Sequence, residues 1–196
     1  MRIIAGEYKG RIIEMPSGIR PTSDKVRESL FEILKNKIGG TSFLDLYCGS
    51  GVMGIEALSR GAEKAVFIDN NRNCVSVLKR NLDKMGISQS SYDIYSKDCI
   101  DILRRGGFAS HRGAGYPGAR HRGETRPYNI VFLDPPYYTD LAKNTLIGLS
   151  SCDILTPNAL VIAEVFKKEG LPEELGDFRK IRSSKYGDTL LEFFRK

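Results

Sequence analysis

Tryptophan is absent from the sequence, histidine occurs twice, and nowhere do about 18 apolar residues run together, the length that a membrane-spanning helix requires. The cysteines and histidines form no CxxC pair and no spacing typical of a metal site. They are Cys48, Cys74, Cys99, Cys152, His111 and His121. We therefore expect neither disulfides nor a zinc or iron–sulfur site, and we assign no metal. Charged residues interrupt the apolar N-terminus before the core of a secretory signal could form, so we expect a cytoplasmic protein.

The net charge of the 196 residues is +6, with 41% hydrophobic and 28% charged side chains. This size and composition predict a single domain over residues 1–196. The charge is uneven, because residues 1–27 carry +3 and residues 104–127 carry +5 while the remainder is nearly neutral. Two basic segments on a near-neutral body favour a nucleic-acid partner, since clustered Lys and Arg release counterions on binding. On charge alone, the alternative is that these basic segments lie on a solvent-exposed face and bind no partner.

Short apolar runs alternate with amphipathic stretches, a pattern typical of a mostly parallel sheet covered by helices. We predict an α/β Rossmann-like fold with seven strands, the last two forming an antiparallel hairpin at the sheet edge. The predicted strands are Ser42–Tyr47, Lys64–Asp69, Tyr92–Ser96, Asn129–Leu133, Ala159–Glu164, Phe178–Ser184 and Thr189–Phe194. The predicted helices are Ser23–Lys37, Val52–Ser59, Arg72–Met85, Asp98–Arg104 and Leu141–Ser150.

Two segments lie outside this alternation. Residues 1–19 contain short apolar stretches around Gly6 and Gly10, which predict a small N-terminal β-hairpin. Residues 106–126 contain no Val, Ile, Leu or Met and are rich in Gly and Arg. Such a segment buries too little apolar surface to offset its ordering entropy, so we predict a flexible basic insertion that holds flanking RNA or has no role.

A glycine-rich loop follows the first predicted core strand. Gly49, Gly51 and Gly54 fit the G-x-G-x-x-G pattern, and Asp69 ends the next strand 20 residues after Gly49. An acidic residue there binds a ribose, so these glycines and Asp69 are compatible with NAD as well as with other adenosine cofactors. Asp45 favours S-adenosylmethionine, because a dinucleotide fold places an apolar side chain at that point of the strand. The D-x-x-x-G-x-G pattern resembles that of class I S-adenosylmethionine-dependent methyltransferases.

The tetrapeptide Asp134-Pro135-Pro136-Tyr137 directly follows the fourth predicted strand. It resembles the (D/N)PP(Y/F) signature of methyltransferases that act on planar, conjugated nitrogen. The lone pair of an exocyclic base amine is delocalised into the ring, so the amine is a poor nucleophile until its N–H groups are held. The Asp134 carboxylate and the Pro135 carbonyl would accept those N–H groups and stabilise the developing charge. Tyr137 would stack on the extruded base.

Three further segments carry a family resemblance. Met1–Arg11, Arg20–Phe31 and Lys185–Thr189 resemble the RsmD family, bacterial enzymes that methylate guanine N2 in small-subunit (16S) ribosomal RNA. With the two central motifs, the resemblance covers the whole chain except residues 104–127. It implies S-adenosylmethionine as cofactor, and small-subunit ribosomal RNA, free or in an assembled particle, as partner.

The resemblance also implies site residues. The catalytic residues are Asp134, Pro135, Pro136 and Tyr137. Those around the cofactor are Arg20, Thr22, Arg27, Asp45, Tyr47, Gly49, Ser50, Gly51, Asp69, Asn70, Asp98, Cys99 and Asp134, with Asp69 at the ribose and Asp98 at the adenine. Those facing RNA phosphates are Arg2, Lys9, Arg11, Arg20 and Lys185. Ordinary surface charge is the alternative for these basic residues.

Three other functions remain open. The same tetrapeptide serves adenine-N6 methyltransferases, although the chain has no stretch long enough for a separate recognition domain after Tyr137. The basic segments alone would suit an RNA-binding assembly factor without catalysis, which intact Asp69 and Asp134 argue against. An NAD-dependent dehydrogenase requires that Asp45 has no role at the cofactor.

Overall fold

The computed structural model describes residues 1–19, 22–106 and 127–196. The helices in these ranges are α1 (Asp24–Leu34), α2 (Val52–Ser59), α3 (Arg72–Met85), α4 (Cys99–Arg104) and α5 (Leu141–Ser150). The strands are β1 (Ser42–Leu46), β2 (Lys64–Ile68), β3 (Tyr92–Tyr95), β4 (Tyr128–Leu133), β5 (Leu155–Phe166), β6 (Glu174–Leu175), β7 (Phe178–Tyr186) and β8 (Thr189–Arg195). The predicted limits of α2, α3 and α5 are confirmed, whereas α1 ends three residues before its predicted end.

Local sequence explains where these helices start and stop. The side chains of Ser23 and Asn71 accept backbone N–H groups from the first turns of α1 and α3. Gly86 ends α3 in the left-handed conformation at φ 67°. None of the described helices is long and apolar enough to traverse a lipid bilayer.

The strands form one sheet in the order β3-β2-β1-β4-β5-β8-β7-β6. The first five are parallel, and β8, β7 and β6 are antiparallel to their neighbours. The α/β Rossmann-like prediction is confirmed, but the sheet has eight strands in the described ranges rather than seven. The prediction that the β7–β8 hairpin lies at the edge was wrong, because Glu174 and Leu175 of β6 pair with Arg179 and Phe178 outside it.

Helices cover both faces of the parallel strands. Phe43 and Phe67 belong to an apolar cluster with α1, α2 and α3, whereas Leu44 and Leu133 belong to a second cluster with α4 and α5. Successive residues of a strand point to opposite faces, so strands buried on both sides are apolar throughout. Because β1 to β5 are parallel, their carboxyl ends meet at one edge of the sheet, which we call the carboxyl edge.

The N-terminal segment forms the small antiparallel hairpin that its sequence predicts, although the pairing is short. An antiparallel bridge joins Arg2 and Ile12, and the backbone N–H groups of Ile3 and Ile13 donate to the carbonyls of Arg11 and Met1, at 3.0 and 2.9 Å. The backbone N–H groups of Ile4 and Ala5 donate to the buried Glu56 of α2, at 2.8 and 3.1 Å, rather than across the segment. The Glu56 carboxylate thus binds the two N–H groups that follow Ile3 and fastens the hairpin to α2.

The predicted insertion falls on residues 106–126, which lie outside the described residues except for Gly106. Gly106 follows α4, and Pro127 precedes β4. Since Asp134 follows the other end of β4, Pro127 lies at the edge opposite the Asp134–Tyr137 tetrapeptide. The flexibility and the role of the insertion stay predictions, as do the single-domain limits.

Candidate active site

Four predicted site residues come together because they follow parallel neighbouring strands. Gly49 follows β1, Asp69 follows β2, Asp98 follows β3, and Asp134 follows β4. The strand order β3-β2-β1-β4 places all four along the carboxyl edge. In open α/β sheets this edge is where ligands bind, and the loop after β1 lies at its centre.

Asp45 holds the start of α2. Its carboxylate is buried and accepts the backbone N–H of Gly54 at 2.9 Å. Burial raises the pKa of this carboxyl well above its ordinary value, the Gly54 N–H partly offsets the rise, and the charges of Asp134 and Asp69 add to it. A carboxyl group thus occupies a helix N-terminus that would bind pyrophosphate in a dinucleotide fold, and when ionised it repels that anion. A cationic ligand is favoured instead.

Asp69 organises the glycine loop from the neighbouring strand. One carboxylate oxygen accepts the N–H of Gly49 at 2.9 Å, and the other accepts the N–H of Asn71 at 2.8 Å. Each oxygen keeps capacity for a further donor. Beside it, Asn70 donates to Asp98 at 3.3 Å, and Asp98 caps α4 through the N–H of Asp101. The two acidic residues predicted at the ribose and the adenine are therefore linked through Asn70.

The three glycines differ in what surrounds them. A side chain at Gly49 would meet only Ile19, at 3.9 Å, so the backbone there is open to a ligand. Gly51 has φ 78°, and a Cβ there would lie 2.2 Å from Leu78. A Cβ at Gly54 would lie 2.3 Å from the Phe67 ring, so this glycine permits the close packing of α2 on β2. An open loop flanked by carboxylates, without a free helix N-terminus, fits S-adenosylmethionine.

Three further predicted cofactor residues, Tyr47, Ser50 and Cys99, follow or lie within the segments at the carboxyl ends of β1 and β3. Tyr47 has φ 60°, and its hydroxyl hydrogen-bonds to Thr145 at 2.8 Å. Ser50 is buried, and its carbonyl accepts from Asn81 at 3.0 Å. Cys99 is buried as well, which raises the pKa of its thiol to about 12. Ser50 and Cys99 therefore expose little surface to a cofactor, and the cofactor contacts of all three residues stay predictions.

The Asp134–Tyr137 tetrapeptide is held by four parts of the chain. The N–H of Asp134 donates to Leu46 of β1 at 3.5 Å, and the Thr22 hydroxyl donates to the Asp134 carboxylate at 3.3 Å. The Tyr137 hydroxyl lies 3.5 Å from Glu164 and 3.2 Å from Thr189. The structure therefore places Asp134 between the glycine loop and the segment before α1.

Arg27 has partners within the protein. Its guanidinium is fully buried, donates to the Arg2 carbonyl and to Asp24, and lies 3.5 Å from Glu56. These partners fasten the N-terminal segment to α1 and α2, and a contact of Arg27 with the cofactor stays a prediction. Arg20, predicted for both the cofactor and RNA, lies outside the described residues.

The predicted RNA-binding residues do not form one surface. Lys185 is exposed next to the β7–β8 turn, where Thr189 pairs with Phe166 at the carboxyl end of β5. Arg11 instead donates to the carbonyl of Met85, the last residue of α3, and lies at the opposite edge. The N–H of Glu7 donates to Ser59 at the end of α2, which places the neighbouring Lys9 at that edge too.

Arg2, the remaining predicted RNA-binding residue, is exposed and donates to the carbonyl of Gly10 at 3.0 Å. It thus belongs to the N-terminal segment that leads to the opposite edge. No group of three or more His, Cys, Asp or Glu in the described ranges has the arrangement of a metal site.

Sequence reasoning missed two residues beside the tetrapeptide. Glu164 lies near the end of β5 and is buried, and it lines a cavity of about 330 Å³ together with Pro135 and Tyr137. Tyr138 has φ 61°, is 74% exposed, and packs its ring on Phe166 with centroids 5.2 Å apart. An acidic residue near the end of an apolar strand was the available signal for Glu164, the same signal that identifies Asp69. No sequence pattern indicates the left-handed backbone of Tyr138.

Comparisons with known proteins extend over the whole chain. The sequence profile of a family described as Conserved hypothetical protein 95 matches residues 1–195. A Haemophilus influenzae protein named ribosomal RNA small subunit methyltransferase D is 33% identical over 173 residues, covering 87% of this chain and 81% of the relative. An Escherichia coli protein of the same name is 30% identical over 198 residues, covering 100% of this chain and 90% of the relative. The solved structure of the Escherichia coli protein yhhF matches with a TM-score of 0.82 at 30% identity, covering 100% of this chain and 97% of that one.

Proposed function

Since this chain belongs to the RsmD family, we propose that it transfers a methyl group from S-adenosylmethionine to the exocyclic N2 amine of one guanine in small-subunit ribosomal RNA. The observation that carries the proposal is the position of Asp134, beside Pro135, at the strand end next to the glycine loop. The enzyme acts in the cytoplasm, on free RNA or on an assembled particle.

Residues of this chain hold the cofactor at the carboxyl edge. Asp69 accepts the ribose hydroxyls while it keeps the Gly49 N–H, and Asp98 accepts the adenine amine. Asp45, when ionised, adds negative charge below the open glycine loop and so favours the positively charged end of the ligand. S-adenosylmethionine supplies an electrophilic methyl group on a sulfonium.

The tetrapeptide prepares the amine that receives the methyl group. The Asp134 carboxylate and the Pro135 carbonyl accept the two N–H groups, which turns the nitrogen lone pair toward the methyl group. Positive charge then develops on the nitrogen, and the carboxylate stabilises it. The Thr22 hydroxyl, 3.3 Å from Asp134, fixes the orientation of that carboxylate. Direct transfer forms the nitrogen–methyl bond as the sulfur–methyl bond breaks, and the amine then releases one proton to water, so neither a metal nor a covalent enzyme intermediate is needed.

The arrangement of Asp45 disfavours the dehydrogenase alternative. A carboxyl group bound to the Gly54 N–H occupies the position where a dinucleotide pyrophosphate would be bound by the helix N-terminus. Calorimetric titration with S-adenosylhomocysteine and with NADH distinguishes the two, and we expect binding of the former alone.

The test of the reaction is mass spectrometry of nucleosides. Small-subunit RNA and small-subunit particles from cells that lack this gene are incubated with the purified protein and S-adenosylmethionine, then digested. We expect N2-methylguanosine at one position. Methyl groups found only at adenine N6 would establish the adenine alternative, and the absence of any methyl transfer would support an RNA-binding factor without catalysis.

A further inference from the structure

The cavity beside the tetrapeptide has the size and position of a base-binding pocket. Its volume is about 330 Å³, at the lower end of the roughly 300–1,000 Å³ of small-ligand pockets. Pro135, Pro136 and Tyr137 line it from the strand end, and Thr139 and Lys143 line it from the start of α5. It lies over β4 and β5, one strand further along the carboxyl edge than the glycine loop. A base in this cavity would contact the tetrapeptide directly.

Strand register brings Glu164 next to Asp134. Leu133 of β4 pairs with Ala163 of β5, so the next residues, Asp134 and Glu164, lie side by side at the carboxyl edge. Adjacent strands are about 4.8 Å apart, and residues in register point to the same face. The Glu164 side chain is 4% exposed, and the residue lines the cavity. Its carboxyl group therefore lies in a setting with little water, close to the group proposed to hold the target amine.

Neighbouring side chains fix Glu164 in place. The Tyr137 hydroxyl lies 3.5 Å from one carboxylate oxygen and 3.2 Å from the Thr189 hydroxyl. Tyr137 also packs against Phe166, with ring centroids 5.8 Å apart. An acceptor held in this way, shielded from water, discriminates strongly between ligands that do and do not offer it a donor.

We propose that Glu164 selects guanine, its carboxylate accepting the N1–H adjacent to the N2 amine that is methylated. This assignment rests on the proposed function and adds the origin of its base specificity. Guanine presents an N1–H donor next to the reacting amine, whereas adenine N1 is an acceptor next to N6 and meets the carboxylate with its lone pair. Glu164 is thus a specificity-determining residue, distinct from Asp134, which contacts the amine itself.

The experiment compares two bases in the same RNA. The nucleotide that the wild-type enzyme methylates is replaced, through ligation of a synthetic segment, by 2-aminopurine, which keeps the 2-amino group but has an unprotonated N1. We measure kcat/KM for the guanine and 2-aminopurine RNAs with wild-type protein and with Glu164→Gln. The glutamine amide can donate to N1, so we expect the guanine to 2-aminopurine ratio to fall by at least about tenfold.

Two controls separate specificity from damage. Glu174→Gln makes the same change of charge on the exposed surface of β6 and should keep the wild-type ratio. Affinity for S-adenosylhomocysteine should be unchanged in Glu164→Gln, and the ratio within one preparation does not depend on how much of the protein is folded. An unchanged ratio in Glu164→Gln overturns the role of Glu164 alone. A wild-type enzyme that methylates N2 of neither RNA overturns the proposed function, and the assignment of Glu164 with it.

Discussion

The hydroxyl groups of Tyr137 and Thr189 lie 3.2 Å apart, which joins the Asp134–Tyr137 turn after β4 to the first residue of β8. Thr189 is buried and pairs with Phe166 at the end of β5. The C-terminal hairpin therefore supports this turn in addition to extending the sheet. From sequence, Tyr137 is expected to provide a stacking surface alone, and the structure adds a role for its hydroxyl.

This contact predicts that Tyr137→Phe is not neutral. Loss of the hydroxyl bond should lower kcat/KM for RNA about fivefold, equivalent to roughly 1 kcal/mol. Thr189→Val removes the shared bond as well, so the double variant should lose no more than Tyr137→Phe alone. Steady-state kinetics of the wild type, the two single variants and the double variant complete a double-mutant cycle. Fully additive losses would show that the two side chains act independently.

The buried ion pair beneath the N-terminal segment predicts a large loss of stability on Glu56→Ala. Glu56 accepts from Ile4, Ala5 and Arg60 and lies 3.5 Å from the buried Arg27, which would keep only the exposed Asp24 as a charged partner. We expect the free energy of unfolding to fall by roughly 3–5 kcal/mol in urea titrations. Glu32→Ala removes an exposed pair with Lys35 and should change it by less than about 0.5 kcal/mol. Similar effects of the two substitutions would contradict the importance of the buried pair.

The raised pKa of Asp45 predicts a pH-dependent difference in stability between the wild type and Asp45→Asn without cofactor. A carboxyl whose pKa is higher in the folded than in the unfolded state favours folding when neutral and opposes it when ionised. As pH rises above the ordinary value of 3.8, wild-type protein should lose stability relative to Asp45→Asn, until the folded-state pKa is passed. Urea unfolding at several pH values from 4 to 8 measures the difference. A difference that does not vary with pH would show that burial leaves this pKa unchanged.

Asp69→Ala should act on cofactor binding. The carboxylate is proposed to accept the ribose hydroxyls and also holds the Gly49 N–H at 2.9 Å, so its removal costs both charge-assisted bonds and order in the loop. We expect affinity for S-adenosylhomocysteine to weaken by roughly 1.5–3 kcal/mol in calorimetry. Asp101→Ala, on the exposed side of α4, is the matched control and should bind normally. Wild-type affinity in Asp69→Ala would remove this residue from the site.

The parts of the molecule that sequence predicts well are those specified by local chemistry. Gly86 ends α3 as predicted. The glycine loop and the tetrapeptide directly follow β1 and β4, whose apolar residues predict buried strands. The parts that it does not predict depend on distant contacts. Lys9 and Arg11 lie at the far edge because the hairpin that carries them docks on the ends of α2 and α3. Arg27 is buried because Asp24 and Glu56 compensate its charge. The two residues of β6 are too few to show a pattern.

The most direct test of the central claim, that Asp134 activates an exocyclic guanine amine, is the single-turnover rate of N2-methylguanosine formation by Asp134→Ala. The carboxylate acts on charge that develops during transfer, so we expect a rate at least about a hundredfold below wild type, with affinity for S-adenosylhomocysteine nearly unchanged. A rate near that of the wild type, or a loss explained entirely by weaker cofactor binding, would contradict it.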